Sequence, residues 1–196
     1  MIKVGITGGI GSGKSVVAAL LSVMGVPVYI ADKESKRLTS TSPEIRKKLL
    51  SLFGETVFSG SQLNKQVLAA LIFSDKKNLE EVNRIIHPVV LQDFLHWTEQ
   101  QTTPFVAMES AILFESGFNT FVDVILTVTA PIDVRIDRIQ QRDGLTKEQI
   151  LQRLANQWPE EEKLKRSDFV LCNDNEQALI PQVIQVLPAL KKKFIS

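Results

Sequence analysis

The sequence predicts an α/β fold on a five-stranded parallel sheet, with one helical segment inserted early and a second near the end. Three observations carry this. A β-rich run, Ile2 to Thr7, meets Gly8-Gly9, then an amphipathic stretch, Lys14 to Met24, then a second β-rich run, Val26 to Ile30. Strand, helix and strand within about 30 residues make a βαβ unit and hence a parallel sheet. Three later runs, Pro104 to Glu109, Val122 to Thr129 and Asp168 to Cys172, are rich in apolar residues, as strands covered on both faces require.

The elements follow in order. Val17, Leu20, Leu21 and Met24 fall at helical spacing and Gly25 stops that helix. From Asp32 to Pro104 the pattern is mostly helical, with a turn near Ser59-Gly60-Ser61. Leu68, Leu71 and Ile72 share one face, and Leu79, Val82 and Ile86 another. At roughly 70 residues this segment is too long for an ordinary crossover and reads as an inserted subdomain. A second helical excursion covers Asp133 to Arg166. It carries Arg135, Arg138 and Arg142 at i, i+3 and i+7, and Thr146 with Gln149 as a capping box. Lys191-Lys192-Lys193 reads as a solvated helix end. The expected organisation is one domain: a core of 1–32, 98–132 and 167–196, a helical acceptor subdomain at 33–97, and a lid at 133–166.

Composition bounds the function. The chain has 196 residues and a net charge of +1, so no global basic field suits it to coating nucleic acid. It has one cysteine, Cys172, read as a buried strand residue, and two histidines, His87 and His96. Neither an internal disulfide nor a Cys- or His-rich metal site is expected, and a single Cys suits a reducing compartment. No stretch approaches the roughly 20 apolar residues of a membrane span, and Met1-Ile2-Lys3-Val4 runs straight into the glycine motif without a signal peptide. A cytoplasmic protein, monomeric or weakly self-associating, is expected.

Gly8-Gly9-Ile10-Gly11-Ser12-Gly13-Lys14-Ser15 fits G-x-x-x-x-G-K-[ST], the phosphate-binding P-loop, in the strand–loop–helix context it needs. Its glycines let successive N–H groups turn toward phosphate oxygens, and the following helix directs its positive pole at the same anion. Lys14 supplies charge to the β- and γ-phosphates, and Ser15 a hydroxyl ligand for Mg²⁺. The chain is thus expected to have a P-loop NTPase three-layer fold and to bind ATP.

The kind of P-loop protein is narrowed by what is missing. No Asp is followed by Gly three residues later, and Asn64-Lys65-Gln66-Val67 lacks the final Asp of the GTPase base-recognition motif. Phe105-Val106-Ala107-Met108-Glu109 is a short, imperfect version of the acid-tipped strand of motor and transporter ATPases. A small phosphotransferase with an inserted acceptor subdomain and an Arg-bearing lid fits best. Another small-metabolite kinase and an ATP-binding regulatory module are the rivals.

Taken together the chain resembles the dephospho-CoA kinase family. The resemblance rests on Gly5 to Ser15, Ala31-Asp32, Ile72-Phe73, Ile86-His87-Pro88, Leu113-Phe114-Glu115, Arg138, Arg142-Asp143, Gln157 and Asn173. Departures are Val16, where the family commonly has Thr, Ile30 for the first Asp of Asp-Ala-Asp, and Lys36 for Arg. Leu63-Asn64-Lys65 stands for Leu-Asp-Arg, and Ala111-Ile112-Leu113-Phe114-Glu115 for Pro-Leu-Leu-x-Glu. The resemblance implies transfer of the ATP γ-phosphoryl to the ribose 3′-hydroxyl of dephospho-coenzyme A.

Residue roles follow from the motif and the resemblance. Gly8 to Val16 would contact the nucleotide, and Asn173 would face adenine or form a turn beside Asp174. Asp32, expected at the end of a strand beside the P-loop strand, would act as general base, hold a Mg²⁺-bound water, or cap the helix from Lys33. Arg138 and Arg142 would neutralise charge on the transferred phosphoryl, with Arg135 left on the surface. His87 would contact the acceptor or simply pack. Lys36 and Lys65 are further acceptor candidates. Glu115 would orient Mg²⁺ or a basic side chain, or cap a helix. Trp97 and Trp158 read as packing residues.

Overall fold

The structure, a computed structural model, describes residues 1–60 and 62–194, without the side chains of Phe73, Lys193 and Phe194. Ser61, expected in a turn, lies outside the described residues. Two compact units form. Ala31–Gln100 make one, and Met1–Ile30 with the chain from Gln101 onward make the other.

The first unit is a five-stranded parallel sheet flanked by helices. Its strands are β1 (Ile2–Thr7), β2 (Val28–Ile30), β5 (Phe105–Glu109), β6 (Val124–Thr129) and β7 (Phe169–Cys172), in the order β2-β5-β1-β6-β7. All five residues of β5 are buried, which is why that run does not alternate. Ile6 is in register with Glu109 and Leu126, so the carboxyl ends of β5, β1 and β6 lie side by side. Helices α1 (Lys14–Val23) and α9 (Leu179–Phe194) contribute Val17, Ala18, Leu21, Val183, Val186 and Leu190 to the core, against Val4, Ile6, Leu126 and Val128.

One expectation needs correction. β2 is not next to the P-loop strand: β5 lies between them, pairing Ile30 with Glu109 on one side and Ile6 with Glu109 on the other. The crossover through α1 skips one sheet position, which a sequence of adjacent elements cannot display.

Three helices fill the stretch between β6 and β7: α6 (Ile132–Asp143), α7 (Lys147–Ala155) and α8 (Glu160–Lys165). Gly144, at φ 66°, ends α6 in the left-handed region that glycine tolerates. The capping box starts α7, with Gln149 N donating to Thr146 Oγ1 at 3.3 Å and Thr146 N donating to Gln149 Oε1 at 3.0 Å. Ile136, Ile139 and Ile150 pack α6 on α7.

The second unit is helical, with α2 (Ala31–Thr41), α3 (Pro43–Phe53), α4 (Lys65–Ser74) and the long α5 (Lys76–Glu99). A small antiparallel pair, β3 (Phe58–Ser59) and β4 (Gln62–Leu63), flanks the expected turn. Val82, Ile86, Val89, Val90 and Phe94 form the buried stripe of α5. Among the described residues no helix is long and apolar enough to cross a membrane.

Candidate active site

The loop between β1 and α1 is shaped by close approach as much as by torsion. Gly8 has φ 143°, and a Cβ there would lie 2.1 Å from the Val128 carbonyl oxygen. Gly13 has φ 98°, and its Cβ would lie 2.1 Å from Asn173 Nδ2. Both positions exclude a side chain on conformation and on space. Ser12 N donates to Gly9 O at 3.1 Å, and Val16 N and Val17 N donate to Gly13 O, launching the helix. The amides of Gly11 and Gly13 donate to nothing among the described residues. Helix α1 has no acidic residue in its first turn and no side-chain cap. Its positive pole is therefore left to an outside anion.

The motif's polar side chains converge on this loop. Lys14 is buried and donates from Nζ to Gly9 O at 3.4 Å. Ser12 is buried, and its Oγ has no partner among the described residues. Ser15 and Val16 are exposed at the start of α1. No group of three His, Cys, Asp or Glu side chains could cage a metal among the described residues. A hydroxyl at a phosphate loop is the sparse donor set that suits Mg²⁺, which keeps waters and takes phosphate oxygens. The residues present therefore fit that ion through Ser15.

Ile10 is gripped from outside. Its N–H donates to Gln157 Oε1 at 3.0 Å, and its carbonyl accepts from Arg135 Nε at 3.0 Å. Arg135, expected on the surface, is 5% exposed. It forms an ion pair with Glu160 at 2.7 Å and crowds Gly9, whose Cβ would meet Arg135 Nη2 at 1.9 Å. Arg135 is drawn inward by Ile10 and Glu160, partners that lie 125 and 25 positions away. Ile132 is 51% exposed. Arg135, Ile136 and Ile139 are the buried residues of α6, with Arg135 and Ile139 four apart on one face.

Arg138 and Asn173 meet at the other side of the loop. Asn173 Nδ2 donates to Ser12 O at 2.8 Å, and its own N–H donates to Thr129 O at 2.8 Å. Arg138 donates to Asn173 Oδ1 at 3.4 Å, to Asn175 Oδ1, and at 3.5 Å to Gly11 O. Asn175 holds a φ of 73°, which its residue type tolerates. Asp174 accepts from Glu176 N and Gln177 N, and these bonds hold its carboxyl below the usual range. Cys172, expected to be buried, is half-buried at the end of β7 and donates to Asp174 Oδ2 at 3.2 Å. Burial and that carboxylate push its thiol up, so it is no reactive thiolate.

Arg142 stands apart from this cluster. Its exposed guanidinium donates in bidentate fashion to Asp143, at 2.7 and 2.8 Å. The pair holds Asp143 below the ordinary carboxylate range.

A cleft of about 430 Å³ opens beside Gly9, lined by Arg135, Gln157, Trp158, Glu160 and Lys163 among others. Lys163 is 1% exposed. It donates to Ala111 O at 3.0 Å and pairs with Glu115 at 2.8 Å. Glu115 thus pairs with a basic side chain and also accepts from Trp158 N at 2.8 Å. The Trp158 ring stacks on Phe114 at 5.6 Å, with Arg166 over it at 5.3 Å. Glu109 is buried at the tip of β5, where its register partners are Ile6 and Ile30. Lys163, inside the charged run Glu160 to Lys165, carries no site signal in the sequence, whereas Glu109 is the acid at the tip of the imperfect ATPase-like strand.

The helical unit holds the remaining candidates. Asp32 is exposed in the first turn of α2, inside the helix that begins at Ala31 rather than capping one. Lys36 is exposed one turn later. Lys65 is exposed at the first position of α4, behind the Asn64 cap, which accepts from Val67 N at 3.2 Å. His87 is half-buried in α5, and burial pushes its imidazole below the ordinary value. Elsewhere on α5, Trp97 stacks on Phe94.

Comparison with known proteins agrees with this geometry. The sequence model of the dephospho-CoA kinase family matches residues 2–178. A dephospho-CoA kinase from Bacteroides fragilis is 51% identical over 194 residues, covering 98% of this chain and 95% of its own. One from Porphyromonas gingivalis is 42% identical, covering 98% of this chain and 96% of its own. A crystal structure from Thermus thermophilus superposes with a TM-score of 0.83 at 36% identity, over 98% of this chain and 97% of that one. The chain belongs to the dephospho-CoA kinase family.

Proposed function

We propose that this chain transfers the γ-phosphoryl group of ATP to the ribose 3′-hydroxyl of dephospho-coenzyme A, giving coenzyme A. The observation that carries the reading is the loop from Gly8 to Ser15, with unclaimed amides, an uncapped α1 and Lys14, in a chain matched along 2–178 by that family.

Gly8 to Val16 would bind the nucleotide, mainly through backbone N–H groups and the ammonium of Lys14. Ser15 would hold Mg²⁺, which when bound supplies positive charge to the β- and γ-phosphate oxygens. Asn173 orders Ser12 and would meet the base from the loop that follows β7. Arg138, already at Gly11 and Asn173, would counter charge on the phosphates, and Arg142 would exchange Asp143 for the transferred group. Asp32 would accept the proton of the attacking hydroxyl, while Lys36, Lys65 and His87 contact the acceptor. Glu115 would act through Lys163 on the acceptor side of the cleft. Residues 33–97 would form the acceptor subdomain and 133–166 the lid, on a core of 1–32, 98–132 and 167–196. The single cysteine suits a reducing cytoplasm, and nothing in the composition calls for more than a monomer or weak homo-oligomer.

The test is acceptor-dependent ADP release over a panel of nucleosides, small metabolites and dephospho-coenzyme A. Only the last should stimulate turnover. Stimulation by another acceptor would reassign the kinase, and ATP binding without stimulated release would leave a regulatory module.

A further inference from the structure

We propose that Gln157 and Arg135 are positioning residues for the P-loop, setting its phosphate-facing amides by holding the Ile10 peptide from both sides. Ile10 has no polar backbone group left over. Its N–H is taken by Gln157 at 3.0 Å and its C=O by Arg135 at 3.0 Å. Its side chain packs against the Ile136, Ile139 and Ile150 cluster that joins α6 to α7. Residue 10 is thus anchored by three separate contacts to the segment that follows β6.

Both anchors are themselves fixed. Gln157 Nε2 donates to Ala111 O at 3.4 Å, so the amide bridges the loop after β5 and the P-loop. The next peptide is pinned too, since Trp158 N donates to Glu115. Arg135 is 5% exposed and paired with Glu160, which also accepts from Thr129 Oγ1. Each polar group is held at two atoms, Gln157 through its amide oxygen and nitrogen and Arg135 through Nε and Nη1. A group held this way transmits position, whereas an exposed group would yield.

The consequence is local and specific. Rotation about the Ile10 peptide would redirect the neighbouring Gly11 and carry Gly13 with it, and the amides of these two glycines are unclaimed. Nucleotide affinity then depends on residues that touch no nucleotide. Gly9 must also stay bare, because Arg135 fills the space of its side chain. This inference rests on the ATP-dependent kinase reading, but its test needs no acceptor.

The experiment is calorimetric titration of the purified full-length protein with Mg²⁺-ATP, alongside the melting temperature without nucleotide. Gln157→Leu keeps the volume and removes both hydrogen bonds. Arg135→Lys keeps the charge for Glu160 but cannot also reach Ile10 O. We expect the ATP Kd to rise about tenfold in each, the scale of one lost buried hydrogen bond, with folded protein retained. Gln157→Glu, which still accepts from Ile10 N–H, should bind ATP more tightly than Gln157→Leu. A Kd within twofold of wild type in both Gln157→Leu and Arg135→Lys overturns the inference. So does a weakening fully accounted for by a lower folded fraction. Failure of wild type to phosphorylate dephospho-coenzyme A would instead overturn the functional reading and leave these titrations standing.

Discussion

Lys163 Nζ lies 2.8 Å from Glu115 Oε1, and the lysine is almost wholly buried. The pair ties α8 to the turn after β5, and the ammonium also caps the Ala111 carbonyl. Glu115 Oε2 is buried without a partner among the described residues, so the carboxylate depends on its other oxygen. Two charged groups taken from water tolerate each other only while both are present.

Lys163→Met should therefore lower unfolding stability by about 3 kcal/mol, because it leaves the Glu115 carboxylate without its counter-ion. Adding Glu115→Gln should restore part of that loss. Urea melts of the single and double variants read both values, and equal losses in Lys163→Met and the double variant would contradict the rescue.

Asp32 is an exposed first-turn carboxylate of α2. If it serves as the base, Asp32→Asn removes the proton acceptor and leaves the P-loop alone. Turnover should fall by about 10²–10⁴-fold with ATP affinity unchanged. Near-wild-type kcat would exclude it from the chemistry.

Arg142 and Arg138 should separate kinetically. Arg142 is exposed and, among the described residues, held by Asp143 alone, an attachment that costs little to exchange for phosphate. Arg142→Ala should lower kcat by about 10²-fold and leave the ATP KM near wild type. Arg138→Ala should raise the ATP KM, since it loosens Gly11 and Asn173 together. The reverse pattern from steady-state kinetics would exchange the two roles.

His87 makes a pH prediction. Burial lowers its pKa below the ordinary 6.5, so the unfolded chain takes up a proton before the folded one does. Its contribution is constant above the unfolded value. Stability falls as pH drops through about 6.5, by up to about 1.4 kcal/mol per pH unit, until the folded-state pKa is reached. Chemical melts at pH 7.5 and 5.5 should show a smaller acid loss in His87→Gln than in wild type. Equal losses would mean that another group governs the range.

What the sequence could show divides along physical lines. The P-loop, α1, β5 and β6 were legible because each depends on local chemistry: glycine torsions, a helical apolar stripe, runs without alternation; β7, expected to be covered on both faces, is an edge strand with Val170 exposed. The Thr146 cap is equally local, four residues deciding one turn. Arg135, Lys163 and Glu109 depend instead on partners such as Ile10, Ala111 and Ile30, between 52 and 125 positions away where a hydrogen bond joins them. The skipped sheet position that puts β5 beside β1 is likewise a tertiary fact. Charge in a helix reads as solvated until the packing of the other elements is known, and for Arg135 and Lys163 that reading fails.

The most direct test of the central claim is the mass of dephospho-coenzyme A after incubation with the protein, Mg²⁺ and ATP. The account predicts a product heavier by one phosphoryl group, carried on the ribose 3′-oxygen, with one ADP formed per product. An acceptor of unchanged mass, whether ATP survives or is hydrolysed to free phosphate, would contradict it.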